Sequence, residues 1–248
     1  MSSEHKVQLQ PAYLLHRKPY RDTSLLLELF SRDHGRIGLI ARGARGAKSK
    51  LKGVLQPYQP LLVSWSGRGE LQTLTSAETE GSALFLQGDT LASGFYLNEL
   101  LMRLLARHDP HPDLYHIYHS TLQRISANHD IEWALRLFER DLLQELGYGL
   151  LLNHEGRGGV EVVPEGRYCY YHESGPQRMH GEEGGRLTVS GETLLALAQG
   201  RCEVPQLRRE SKLLMREVLA RYLGNRPLAS RELFRQKRPK RNEETGVE

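Results

Sequence analysis

The feature that most constrains this chain is a change of hydrophobic period between residues 80 and 90. Before it, apolar residues come in five short runs: 7–16 (VQLQPAYLLH), 23–31 (TSLLLELFS), 36–41 (RIGLIA), 60–66 (PLLVSWS) and 70–76 (ELQTLTS). Runs of this length bounded by turn residues read as β-strands. Asp33-His34-Gly35 and Ser66-Gly67-Arg68-Gly69 are hairpin signals, and Pro57 and Pro60 punctuate the approach to the fourth run. Five strands this close together suit a small barrel or half of a sandwich. With basic loops, a five-stranded OB barrel is the natural candidate.

After the change, Leu91, Phe95, Leu97, Leu100, Leu101, Leu104 and Leu105 recur at helical spacing, with Asp89 or Thr90 as the expected N-cap. A second helix is expected from about 112 to 127, and a third from about 130 to 146, stopped by Gly147-Tyr148-Gly149. Residues 153–186 are glycine-rich and carry no long period, which predicts a loop-rich insert with one short strand near Tyr168–Tyr171. Thr188–Leu197 resumes helix with Ser190 as cap, and Pro205 opens a last long helix to about Leu223. The reading is therefore α+β: an OB domain over 1–80, a helical domain over 81–226 containing the insert, and a basic tail over 227–248.

Charge divides the chain the same way. Residues 1–78 carry a net +6, residues 79–200 a net −8 and residues 201–248 a net +6. Blocks of like charge mark interaction surfaces, and a basic patch steers polyanions in. Between positions 36 and 52 stand Arg36, Arg42, Arg45, Lys48, Lys50 and Lys52 with no acidic residue. A second set, Arg231, Arg235, Lys237 and Arg238, lies near the end. Arg208, Lys212 and Arg216 fall at i, i+4, i+8 on the last long helix, one basic face. Tyr13, Tyr20, Phe30, Tyr58 and Trp65 accompany the first set, and OB domains that bind nucleic acid combine a positive groove with stacking aromatics.

Enzymatic constellations are missing from the sequence. Residues 42–49 (RGARGAKS) lack the Walker A spacing, and neither G-x-S-x-G nor H-E-x-x-H occurs. His116 and His119, at i, i+3 on the second helix, could share a metal, but a polar helix surface near a turn is the preferred reading. His154, Cys169, His172, His180 and Cys202 lack the paired, closely spaced ligands of a structural zinc site. No metal or cofactor is expected. Two distant cysteines exclude a disulfide framework, the N-terminus has no apolar signal region, and no apolar run approaches the ~18 residues of a membrane span. The expected setting is the reducing cytoplasm. Four classes remain: a DNA-binding mediator, a general single-strand or RNA-binding module, a metal-dependent nucleic-acid enzyme and a protein scaffold.

Several motifs, in order, resemble the RecO family of bacterial recombination mediators, of γ-proteobacterial type. They are Thr23-Ser24-Leu25-Leu26-Leu27, Ala41-Arg42-Gly43-Ala44-Arg45, Leu51 to Tyr58 (LKGVLQPY) followed by Pro60-Leu61-Leu62, and Gly67-Arg68-Gly69-Glu70-Leu71. Tyr96 to Leu101 (YLNELL), Phe138-Glu139 through Gly149, and Ser230 to Phe234 (SRELF) complete the series. The resemblance spans about residues 10–238 and implies an OB fold followed by helices. It implies binding of single- and double-stranded DNA, annealing of complementary strands and loading of RecA onto DNA coated with single-stranded-DNA-binding protein. It further implies work with RecR, a functional link to RecF, and no covalent turnover. Many family members carry a four-cysteine zinc module after Gly-Tyr-Gly. Here Glu155 and Gly158 stand at the first Cys-x-x-Cys pair and Cys169 is alone, so no structural zinc is expected. The family also recognises the acidic, Phe-ended tail of single-stranded-DNA-binding protein. The matching place is the third helix, with Arg136 and Arg140 as a cationic rim and Leu142, Leu143 and Leu146 as the pocket.

Overall fold

The computed structural model describes residues 6–156, 159–181 and 187–235. Five strands form a closed barrel: β1 (Lys6–Tyr20), β2 (Ser24–Ser31), β3 (Gly35–Ala41), β4 (Pro60–Ser66) and β5 (Leu71–Thr79). The order around the barrel is β1-β2-β3-β5-β4, closed by β4 on β1 and by the one parallel pairing, β3 with β5. A short helix, α1 (Leu51–Val54), connects β3 to β4. This is the OB arrangement.

β1 serves two neighbours because it bends. Its register shifts between Val7 and Gln10 against β4, and between Leu14 and His16 against β2. Such irregularities curl a strand around a barrel. The strand also outruns its apolar pattern, continuing through exposed His16, Arg17 and Lys18 to the Arg21–Thr23 turn. Pairing with Leu25, Leu26 and Leu27 of β2 holds this polar stretch extended.

Alternation sorts each strand's side chains. Leu14, Leu27, Leu29, Ile37, Leu39, Leu61, Val63 and Trp65 fill the barrel interior. Tyr13, Leu15, Phe30 and Tyr58 belong instead to the core of the helical region. That is why run 23–31 reads almost continuously apolar: both of its faces are covered.

The helical region starts with α2 (Gly88–Leu104), α3 (Pro112–Ser126) and α4 (Ile131–Glu145). The N-cap of α2 is Gln87 rather than Asp89 or Thr90. Thr90 fills the N3 place of a capping box, closing reciprocal bonds with Gln87. The glycine-rich insert holds more structure than one strand. β6 (Arg167–Tyr171), β7 (Gly175–Arg178) and β8 (Thr188–Ser190) form an antiparallel sheet in the order β7-β6-β8. α5 (Gly191–Gln199) follows, with Ser190 Oγ accepting from Thr193 N as its cap, and then α6 (Pro205–Leu223). A final helix, α7 (Ser230–Arg235), folds back onto α2. Glu99 of α2 accepts Ala229 N, Ser230 N and Ser230 Oγ at 2.9, 2.9 and 2.6 Å, satisfying the open amides at the start of α7. Burial acts to raise the Glu99 pKa, but these hydrogen bonds outweigh it and hold the carboxyl below its ordinary value.

Barrel and helices are fastened by polar contacts as well as by core. Asn98 Nδ2 donates to Leu15 O at 3.0 Å while Asn98 Oδ1 accepts from Tyr118. Tyr13 Oη and His119 Nδ1 share a hydrogen bond of 2.5 Å. The α2–α3 connection crosses β3: Arg107 pairs with Glu28 of β2, and its guanidinium fills the space a Cβ at Gly38 would need. The outer face of β2 and β3, where OB barrels commonly take their ligand, is therefore occupied here by the chain itself.

Candidate nucleic-acid interface

With that face closed, two parts of the barrel surface remain open: the side carrying β5 and the β4–β5 turn, and the end carrying the β1–β2 turn, where the cations gather. The segment after β3 folds onto this turn through consecutive tight bonds. Arg45 N donates to Thr23 O at 2.8 Å, Gly46 N to Gly43 O at 3.0 Å and Ser49 N to Gly46 O at 3.1 Å. Gly43 has φ +67°, the left-handed conformation that glycine adopts without strain. Buried Ala44 pins the segment to the barrel core.

This backbone course turns the cations outward. Arg42, Arg45, Lys48, Lys50 and Lys52 are all exposed. Arg45 donates one hydrogen bond to Arg21 O, and among the described residues none of the five has a carboxylate partner. Sequence reasoning missed three further members. Arg17 donates to Leu55 O and to Gln56 Oε1, lying against α1. Lys18 is exposed beside it, and Arg21 sits over the Tyr20 ring at 5.2 Å. The signal was available as His16-Arg17-Lys18-Pro19-Tyr20-Arg21, but it fell beyond the apolar run. The result is a cationic edge with Asp22 as the one acid in its turn.

Arg36 does not join this edge, which corrects the sequence expectation. It is half-buried, donates from Nη1 to Met102 O and fastens β3 to α2; burial depresses its pKa. Most of the accompanying aromatics are core: Tyr13, Phe30, Tyr58 and Trp65 are 0–4% exposed, leaving half-buried Tyr20 as the only one of the five near solvent.

The predicted basic face of α6 is largely spoken for. Arg208 makes a two-pronged pair with Asp130 at 2.6 and 2.8 Å and also donates to Cys202 O. Lys212 pairs with Glu132 at 2.8 Å, a bond that holds the Glu132 carboxyl below its ordinary pKa. These two cations tie α6 to the start of α4, Arg208 closely and Lys212 through an exposed pair, so each already has a carboxylate partner that the sequence does not announce. Arg216 remains exposed, as does Arg209 one turn before Leu213. Arg231 is half-buried in α7. The Arg235 side chain, Lys237 and Arg238 lie outside the described residues.

The expected pocket on α4 is corrected most. Leu142 and Leu143 are fully buried core, and Leu146 packs half-buried against them. Arg136 is buried and paired with Glu139, whose Oε1 also accepts from Tyr96 at 2.6 Å. Burial pushes the Glu139 carboxyl up despite these partners. Arg140 stands apart: half-buried, bonded to Asp141 Oδ1 at 2.7 Å and to Leu197 O, it borders an open cleft of about 190 Å³ with Gln144, Leu150, Leu152 and Ala198. Cys169 and Cys202 are buried and unbonded to each other. Among the described residues no group of three His, Cys, Asp or Glu is placed to hold a metal, and no helix is long and apolar enough to cross a membrane.

A closed OB barrel with an unpaired cationic edge, fused through a shared core to a helical region, defines an OB-fold protein with a surface suited to polyanions. Comparison with known proteins makes that class specific. The family model "Recombination protein O N terminal" matches residues 5–83, and "Recombination protein O C terminal" matches residues 86–232. The DNA repair protein RecO of Methylococcus capsulatus is 52% identical over 230 residues, 93% of this chain and 94% of that one. That of Alkalilimnicola ehrlichii is 51% identical over 236 residues, covering 94% and 93%. That of Aromatoleum aromaticum is 45% identical over 236 residues, covering 95% and 98%. The chain belongs to the RecO family of DNA repair and recombination proteins.

Proposed function

We propose that this protein binds single- and double-stranded DNA through the cationic edge of its barrel, anneals complementary strands, and assists loading of RecA onto DNA coated with single-stranded-DNA-binding protein. The observation that carries this reading is the set of outward cations Arg42, Arg45, Lys48, Lys50 and Lys52, which have no carboxylate partner among the described residues. Contacts from such groups go to phosphates, so they position a strand without reading its sequence. They also leave bases accessible, which annealing requires. Arg216, with the basic residues from Arg231 to Arg238, would supply a second contact, so that one molecule gathers two strands. No covalent chemistry, metal or cofactor enters this scheme, and it operates in the cytoplasm at the nucleoid.

The acidic tail of single-stranded-DNA-binding protein would dock at the Arg140 cleft rather than on buried Arg136: Leu150 and Ala198 line that cleft beside Arg140, and the tail would take the place of Asp141, which pairs with Arg140 there. Family membership supports joint action with RecR and a functional link to RecF. The test is annealing of two complementary oligonucleotides, each precoated with single-stranded-DNA-binding protein, with chelator present and no nucleotide. Rapid annealing is expected. A folded protein that binds DNA and RNA equally and anneals neither would overturn the mediator reading in favour of a general single-strand-binding module.

A further inference from the structure

Of the barrel's aromatics only Tyr20 stays near solvent, and the Arg21 guanidinium lies over its ring at 5.2 Å; α2 offers a further ring with an open face. The middle of α2 is enclosed, with Ala92, Ser93, Gly94, Tyr96, Leu97 and Asn98 all buried. Phe95, in the middle of that run, is 44% exposed. Two contacts fix where it lies. Its ring meets Tyr58 edge-on, with centroids 6.3 Å apart and planes at 78°. Tyr58 ends the segment that begins with Lys50 and Lys52, and Arg17 donates to Leu55 O within that segment. One turn further along α2, Asn98 binds Leu15 O, two residues before Arg17. Phe95 is thus seated against Tyr58, at the end of the segment that carries Lys50 and Lys52, one helical turn from the residue that grips β1 at Leu15. The T-shaped contact orients the phenyl and leaves the rest of it open to solvent.

We infer that Phe95 is a base-stacking residue for single-stranded DNA. A strand whose phosphates follow Arg42 to Lys52 and Arg17 sets a base on the Phe95 ring. The inference rests on the DNA-binding reading above and gives that surface a preference. An unpaired base has a free face to stack, whereas a base in a duplex is already stacked on its neighbours. Cations alone would not make this distinction.

The test compares F95A, F95L and F95W with the wild-type full-length chain. Affinity is measured for a thymine-rich oligonucleotide and for a blunt duplex of equal length, at several salt concentrations. Loss of one base stack predicts single-strand affinity about tenfold weaker in F95A and in F95L, which keeps apolar bulk without a ring. Duplex affinity and both salt slopes should stay within twofold of wild type, and F95W should restore single-strand binding. A 2-aminopurine placed in the oligonucleotide should be quenched by wild type and less so by F95L. If F95L binds both DNA forms as wild type does, or weakens both equally, the stacking assignment is overturned while the cationic edge stands. If wild type binds neither form, the DNA-binding reading fails and this inference with it.

Discussion

Residues 42–52 and helix α6 look alike in sequence and behave differently in space. Each is a run of arginines and lysines at close spacing. On α6, Arg208 and Lys212 meet Asp130 and Glu132, two carboxylates almost eighty residues away in sequence. At the barrel edge no carboxylate answers Arg42, Arg45, Lys48, Lys50 or Lys52 among the described residues. A cation already paired must give up its carboxylate before it takes a phosphate, and an unpaired one gives up only water. Cation density therefore marks where charge is, and the acids packed opposite decide whether it is available.

The largest effect that would break this comparison comes from reversing charge at the edge. R42E/R45E should weaken single-strand binding by about 100-fold with an unchanged melting temperature, and anisotropy titrations alongside thermal melts would show it. Should five phosphates be held, log affinity against log salt should have a slope of about −3.5, at ~0.7 per phosphate on single strands. Wild-type affinity in the folded double variant would end the edge's claim.

The next effect falls on the other region, with the opposite signature. R208A strands Asp130 and the Cys202 carbonyl, both half-buried or buried, and should cost about 2 kcal/mol. For a chain of this size that is a fall of about 4–8 °C in melting temperature, with DNA affinity within twofold of wild type. A large loss of DNA binding without a loss of stability would return Arg208 to the phosphate contacts.

A third measurement sharpens the view of α6 as a wired helix. Glu210 accepts Ser190 N, Ser190 Oγ and Thr193 Oγ1 at 2.9, 2.8 and 2.9 Å. Burial pushes its pKa up, but these bonds outweigh burial and hold it below the ordinary glutamate value. Its contribution is thus present above the unfolded pKa and is lost as pH falls through the lower folded one. E210Q should be about 1 kcal/mol less stable at neutral pH, and the gap should close in acid below the usual carboxylate range. Denaturant titrations across that range measure it, and a gap independent of pH would refute the wiring.

The smallest effect is K212A. Its pair with Glu132 has side chains 57% and 69% exposed, and exposed pairs contribute about 0.5 kcal/mol. A shift of under about 2 °C is expected, and a larger one would show that the tie to α4 matters more than its exposure implies.

β1–β5 and α2–α6 were legible to within a few residues because each rests on a local period, whereas α1, β7 and α7 were not expected and β8 occupies residues read as the start of a helix. Tyr168–Tyr171 and the Ser190 cap were legible for the same reason. What escaped depends on partners far along the chain. The end of β1 is polar and is held extended by β2. α7 starts where Glu99, 131 residues earlier, meets the Ser230 amide. The parallel β3–β5 pairing has no turn to announce it. The same reason explains the site. Arg42 through Lys52 could be named from an acid-free run, but Arg36 and Arg208 find their acceptors only once helices pack, and Arg136, paired with Glu139 one turn on, is buried only then. The family resemblance placed a partner pocket on α4, yet α4 turns Leu142 and Leu143 inward, and only Arg140 faces a cleft.

Tyr13, Phe30 and Tyr58 start in the barrel and end in the helical core. Cutting the chain after β5 would leave a small barrel with an oily wall of three aromatic rings and a leucine, Leu15, facing water. Such a fragment would clump rather than stand in for the parent. The same shared wall makes heat dismantle barrel and helices in a single step, so a scanning calorimeter should see one peak. DNA at the edge would then protect helices that it never touches.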